Sequence, residues 1–135
     1  MGNEFGFACD KTLDPCPMDW SLLKNDSNRG LMEHTQTLAR IRHENPALRS
    51  DAFQMVIQDQ ERLLFGFKRW NDQGNVVVVV ANLKDQDEGE FVVEEAGLED
   101  GLWRDAIHGN DIKVEGGVLR DVIAGSEVKV YIRHN

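Results

Sequence analysis

The residues able to do chemistry in this sequence are few and poorly placed for one another. His34, His43, His108 and His134 are the candidate general bases and metal ligands. His34 and His43 fall on opposite faces of one helical stretch, so they cannot share an ion. His108 stands beside Gly109 in a turn and His134 is penultimate, positions that suit surface histidines. Ser21, Ser27, Ser50 and Ser126 lack the Gly-x-Ser-x-Gly setting of a strained nucleophile. Cys9 and Cys16 have no histidine near them in sequence and no zinc-site spacing. Carboxylates are plentiful, but a glycosidase pair must be held about 5–10 Å apart in a cleft. The acids here concentrate in 84–90 and 94–100, runs that read as solvated loops. No Gly-rich segment follows a strand and opens a helix, so no phosphate loop is expected. No catalytic residue, metal or cofactor is expected of this chain.

Aromatic rings offer a different chemistry, because their faces match the apolar face of a pyranose. Trp103 lies within a strand pattern, where it fills the core or seals its edge. Trp70 ends a strand beside a polar loop and is the better stacking candidate, with packing as its competing role. Tyr131 is the partner that would complete a sugar-binding pair with it.

The elements that must position these groups follow from pattern. Length and a 41% hydrophobic content fit one compact domain with an appended helical segment. Residues 1–23 are broken by Gly2, Gly6, Pro15 and Pro17 into an irregular segment with one helical turn near Trp20. Asn25, Asp26, Ser27 and Asn28 offer capping oxygens to a helix over about 29–44, which ends before Pro46. Leu31, Leu38 and Ile41 share its apolar face, with Arg42 in the middle of the stripe. That arginine either snorkels past the stripe or pairs with an acid.

Beyond Pro46 the period becomes two. Strands are expected at 53–58, 63–70, 76–80, 91–94, 102–107, 112–115, 118–123 and 128–133. Residues 71–75 form a hairpin loop and Gly116-Gly117 a turn. The valine run 76–80 has no polar side and should be a central strand. The fold expected is mainly β: a Greek-key sandwich of seven or eight short antiparallel strands, preceded by one helix and an irregular N-terminal segment. The boundary falls near residue 50, giving 1–50 and 51–135.

A net charge of -9 disfavours nucleic acid, whose phosphates need clustered Lys and Arg. No apolar run approaches the roughly 20 residues of a membrane helix. No secretory signal opens the chain. Cys9 and Cys16 are a sparse pair that, as reduced thiols, would favour the cytoplasm.

Several motifs, in order, resemble the end of the α-amylase family of glycoside hydrolases, best matched by glucan branching enzymes and related amylases. Met1-Gly2-Asn3-Glu4-Phe5-Gly6 looks like the end of the last strand of a catalytic barrel. Asp14-Pro15 with Met18-Asp19-Trp20-Ser21-Leu22-Leu23 resembles the loop after it. Arg42-His43-Glu44-Asn45-Pro46-Ala47-Leu48 resembles the exit of the last barrel helix. Val77 to Leu83, and Trp103-Arg104-Asp105 to Gly109, resemble strands of the C-terminal sandwich.

That resemblance implies a parent enzyme that hydrolyses or transfers α-1,4 or α-1,6 glucosidic bonds with an Asp nucleophile, a Glu acid/base and a second Asp. None of the motifs carrying those acids occurs here, so residues 1–50 read as a remnant of the barrel end. Asn3, Glu4 and Phe5 would then sit at the periphery of the active site only in the intact enzyme. The implied role is a non-catalytic accessory module in carbohydrate metabolism, whose partner is the catalytic barrel and which self-associates through its exposed helix face if left alone. The alternatives are an autonomous α-glucan-binding module and an unrelated oligomerisation domain.

Overall fold

The computed structural model describes residues 2–10, 14–94 and 96–133. Two compact units are present, Met1–Ile41 and Arg42–Asn135.

The first unit holds 3-10 turns at Asn3–Phe5 and Trp20–Lys24 and most of the helix α1, Asp26–Glu44. The helix begins three residues before the expected start. Asn25 supplies the cap, its Oδ1 accepting from Ser27 N at 2.9 Å and its carbonyl from Arg29 N at 3.0 Å. Phe5 is fully buried, its ring 5.2 Å from that of Trp20 and near parallel to it. Asn28 Nδ2 donates to the Phe5 carbonyl at 2.7 Å, tying the first turn to the helix. Leu31 and Leu38 are exposed as expected of an unpartnered stripe, whereas Ile41 is buried and drops out of it.

Cys9 and Cys16 are joined in a disulfide. This corrects the expectation of reduced thiols: their Cα atoms lie 6.7 Å apart, within bridging range. The residue-level reason for a cytoplasmic setting goes with it, since such bonds persist mainly in oxidising compartments.

The second unit is all β beyond a 3-10 turn at Pro46–Arg49. The Arg42 Nη1 donates to the Leu48 carbonyl at 2.6 Å, so a main-chain oxygen receives the guanidinium. The strands are β1 Ala52–Asp59, β2 Leu64–Trp70, β3 Val76–Asn82, β4 Gly89–Val93, β5 Gly101–Asp105, β6 Asp111–Val114, β7 Leu119–Ile123 and β8 Val128–Arg133. All described pairings are antiparallel. Six strands form one sheet in the order β1-β2-β3-β8-β5-β6, and β4 pairs with β7 in a second. β8 returns to lie beside β5 while β6 leads into β7, which is the Greek-key path.

Alternation builds the core. Leu64, Val78, Val80, Trp103, Val114 and Tyr131 on the larger sheet meet Phe91, Val93, Leu119 and Ile123 on the smaller. β3 is central, as its unbroken valines require, with Val77, Val78 and Val80 buried. Leu63, expected to open β2, instead lies in the β1–β2 turn at φ 51°, exposed. Asp59 explains the shift, because its Oδ1 accepts from Glu61 N and Arg62 N and winds the turn one residue further.

Candidate functional site

At the Trp70 end of the larger sheet the expected stacking residue lines an open cavity. β1 and β2 pair so that Ala52 is opposite Trp70, and Asp51 precedes Ala52 at the same end of the sheet. The hairpin loop then returns Asp72 to the same end. It is held by Asn71, whose Oδ1 accepts from Gln73 N at 3.2 Å and from Asn75 N at 3.0 Å. Ser50, Asp51, Ala52, Trp70, Asn71 and Asp72 line a cavity of about 290 Å³. Lys68 Nζ sits 4.8 Å from the centre of the indole and also donates to the Ala96 carbonyl, so the ring is braced on one side. Asp51 and Asp72 were not expected from sequence. The signal for them was their position: residue 72 follows residue 70 closely in the loop, and the β1–β2 register brings the start of β1 to the same end.

Tyr131 does not join Trp70. It is fully buried, its ring 6.4 Å from that of Phe91, and β3 separates its strand from β2. A ring without an exposed face cannot stack on a sugar, so the expected Trp70–Tyr131 pair is corrected. The cause is strand parity: residues 129 and 131 face the smaller sheet.

Tyr131 belongs instead to a polar knot between the sheets. Its hydroxyl donates to Asp121 Oδ2 at 2.7 Å, and Lys129 Nζ donates to the same oxygen at 2.8 Å. Burial pushes the Asp121 carboxyl upward, but the ammonium and the phenol outweigh it and hold the group below its ordinary value. Burial first, and then the hydrogen bond to Asp121, push the Tyr131 phenol far above its usual value of 10.0.

The sign of that shift gives a pH prediction. Below pH 10 the phenol is neutral in both states and its contribution is fully present. Above pH 10 the unfolded state ionises and the folded state does not, so stability falls by about 1.4 kcal/mol per pH unit from this group. Tyr131 is the chain's single tyrosine. Tyrosinate absorbance should therefore appear together with loss of β circular dichroism, and Tyr131→Phe should flatten the alkaline slope. Ionisation near pH 10 in a still-folded chain would contradict it.

A second polar group surrounds Asp105, which is buried and accepts from Ile107 N at 3.0 Å. His108 Nδ1 lies 2.6 Å from Asp105 Oδ2, and its Nε2 lies 3.5 Å from Glu127 Oε1. The histidine closes the β5–β6 turn. Among the described residues no group of three or more His, Cys, Asp or Glu side chains could hold a metal ion. Among them, too, no helix is long and apolar enough to cross a membrane.

Asn3, Glu4 and Phe5 are brought together in the first 3-10 turn. Asn3 is exposed, Phe5 is buried, and Glu4 Oε2 accepts from Gly2 N at 3.0 Å. Thr35 Oγ1 donates to the Glu4 carbonyl at 3.3 Å.

An antiparallel sandwich with this strand order, following a helix and a short turn segment, is a fold shared with solved α-amylases over part of their length. The Anoxybacillus α-amylase matches with a TM-score of 0.66 and 18% identity, over 80% of this chain and 25% of that one. AmyP, solved in complex with maltose, matches at 0.70 and 16% identity, over 97% and 30%. The α-amylase of Geobacillus thermoleovorans, solved with acarbose, matches at 0.69 and 17% identity, over 87% and 25%.

In sequence the likeness is more particular. The chain is 33% identical over 88 residues to the 1,4-alpha-glucan branching enzyme GlgB of Pseudomonas putida, and 35% identical over 88 residues to that of Pseudomonas fluorescens. Each alignment covers 61% of this chain and 12% of the enzyme, so the chain spans a small part of the relatives it matches. No protein-family model matches the chain. The resemblance to the C-terminal region of the α-amylase family, drawn above from motifs, is thus the one the comparisons return.

Proposed function

We propose that this chain is the non-catalytic C-terminal β-sandwich module of an α-glucan-active enzyme, a 1,4-α-glucan branching enzyme in the first instance, and that it stabilises the catalytic barrel. The observation carrying this reading is the partial match to branching enzymes, 88 residues amounting to 12% of their length. Residues 1–50 are on this reading the end of the barrel, and Asn3, Glu4 and Phe5 border its active site.

The surface that would meet the barrel is the face of the larger sheet turned away from β4 and β7. Phe53, Phe65 and Leu102 on that face are 51%, 36% and 56% exposed. The Phe67 ring lies 5.4 Å from Phe53 and 5.9 Å from Phe65, making one continuous aromatic strip. Large apolar strips of this kind mark interaction sites.

Two measurements test the proposal. Incubated with amylose, the purified chain should leave both the iodine spectrum and the count of reducing ends unchanged; new branches or ends would overturn it. Put in place of the matching segment of Pseudomonas putida GlgB, the chain should restore a folded, active enzyme. Phe53→Glu with Phe65→Glu should abolish that restoration while leaving the circular dichroism of the isolated chain unchanged.

A further inference from the structure

We infer that the cavity walled by Trp70, Asp51 and Asp72 is a carbohydrate subsite that takes one neutral pyranose ring of an α-glucan, the α-glucan identity resting on the function proposed above. The cavity, about 290 Å³, falls near the lower end of small-ligand sites, which begin around 300 Å³. Its wall supplies the two kinds of contact a sugar needs. The indole offers a flat apolar surface for the C–H face of the ring, and carboxylates at its edge accept hydrogen bonds from hydroxyls.

The polar groups divide into those already engaged and those still available. Ser50 Oγ donates to the Ala47 carbonyl at 2.9 Å and lies against the Trp70 carbonyl, while Asn71 is used within its own hairpin loop. Asp51 and Asp72 are exposed, and no described hydrogen bond or ion pair engages either. Two acids beside a tryptophan would also suit a cation. The Lys68 ammonium, 4.8 Å from the ring centre, already takes the cation position over the indole and offsets part of the acids' charge. The remaining indole surface suits the C–H face of a polyol.

Calorimetric titration of the whole chain with maltoheptaose tests this. The expected dissociation constant is about 1 mM, as suits a shallow single subsite. Trp70→Ala should weaken binding about tenfold. Asp51→Asn with Asp72→Asn should weaken it about fivefold; both acids are exposed, so that variant keeps its fold even if the tryptophan variant does not. No heat at about 10 mM maltoheptaose, binding unchanged in the double-asparagine variant, or binding of an arginine-rich peptide in place of the sugar would each overturn the subsite. A silent titration beside a working GlgB fusion removes the subsite and leaves the module reading intact; a clear titration beside a dead fusion does the reverse.

Discussion

Asp121→Ala should cost this chain about 3 kcal/mol and lower its midpoint of thermal unfolding by roughly 10 °C. The carboxylate holds two partners that cannot reach water easily. The Lys129 side chain is only 8% exposed, and Tyr131 lies wholly within the core. Deleting the acid leaves a buried ammonium without its counter-charge and a phenol without an acceptor, and both penalties fall on the folded state. A milder loss is expected for Asp121→Asn, which keeps an acceptor but not the charge. The triple change Asp121→Leu, Lys129→Met and Tyr131→Phe should recover most of the stability, since an apolar set of similar size avoids the desolvation of the ion pair. Chemical denaturation monitored by far-ultraviolet circular dichroism measures all three. Equal stability of Asp121→Ala and the parent chain would show that water reaches Lys129 freely.

The second large effect is expected at Gly125. A methyl group there would stand 2.8 Å from Gln86 N and closer still to the Asp85 carbonyl, both of them backbone that no side-chain rotation can clear. The loop after β3 and the turn before β8 are sewn together at this point. Buried Asn82 donates through Nδ2 to the Gln86 carbonyl at 2.8 Å and the Ala124 carbonyl at 2.9 Å. Gly125 N donates to Asp87 Oδ1 at 2.9 Å, and Ser126 N donates to the Lys84 carbonyl. Gly125→Ala must push these segments apart, loosening several of those bonds together. The expected loss is about 3 kcal/mol, at the upper end for overpacking because the obstacle is main chain. Hydrogen exchange should localise the change, with Asn82 and Ser126 amides losing protection and the β1–β2 hairpin keeping it.

The motif resemblance and the element pattern were legible because they are local. Alternation at residues 64–70, the valine run at 76–80 and the Asn71–Asn75 loop sit in short windows, and period-two burial leaves its mark residue by residue. The limits of this show at Leu63, where an aspartate capping the turn overrode an apolar residue in register. They show again at Asn25, where four candidate capping residues in a row gave no means of choosing the first.

Sequence by itself determined that the chain is a string of short strands after one helix, acidic overall, with a likeness to the end of α-amylase-family enzymes. Tertiary structure alone decided which residues meet. Alternation at residues 128–133 has two readings, and only pairing with Val78 and Asp105 turned Tyr131 inward, away from any sugar. The spacing of Cys9 and Cys16 did not say that they join; the 6.7 Å between their Cα atoms did. Asp51 and Asp72 are ordinary loop acids until antiparallel pairing of β1 and β2 brings the start of β1 to the end of β2, where both line one cavity with Trp70. In each case the deciding quantity is a distance between residues far apart or turned away in sequence, and a one-dimensional pattern carries no such distance.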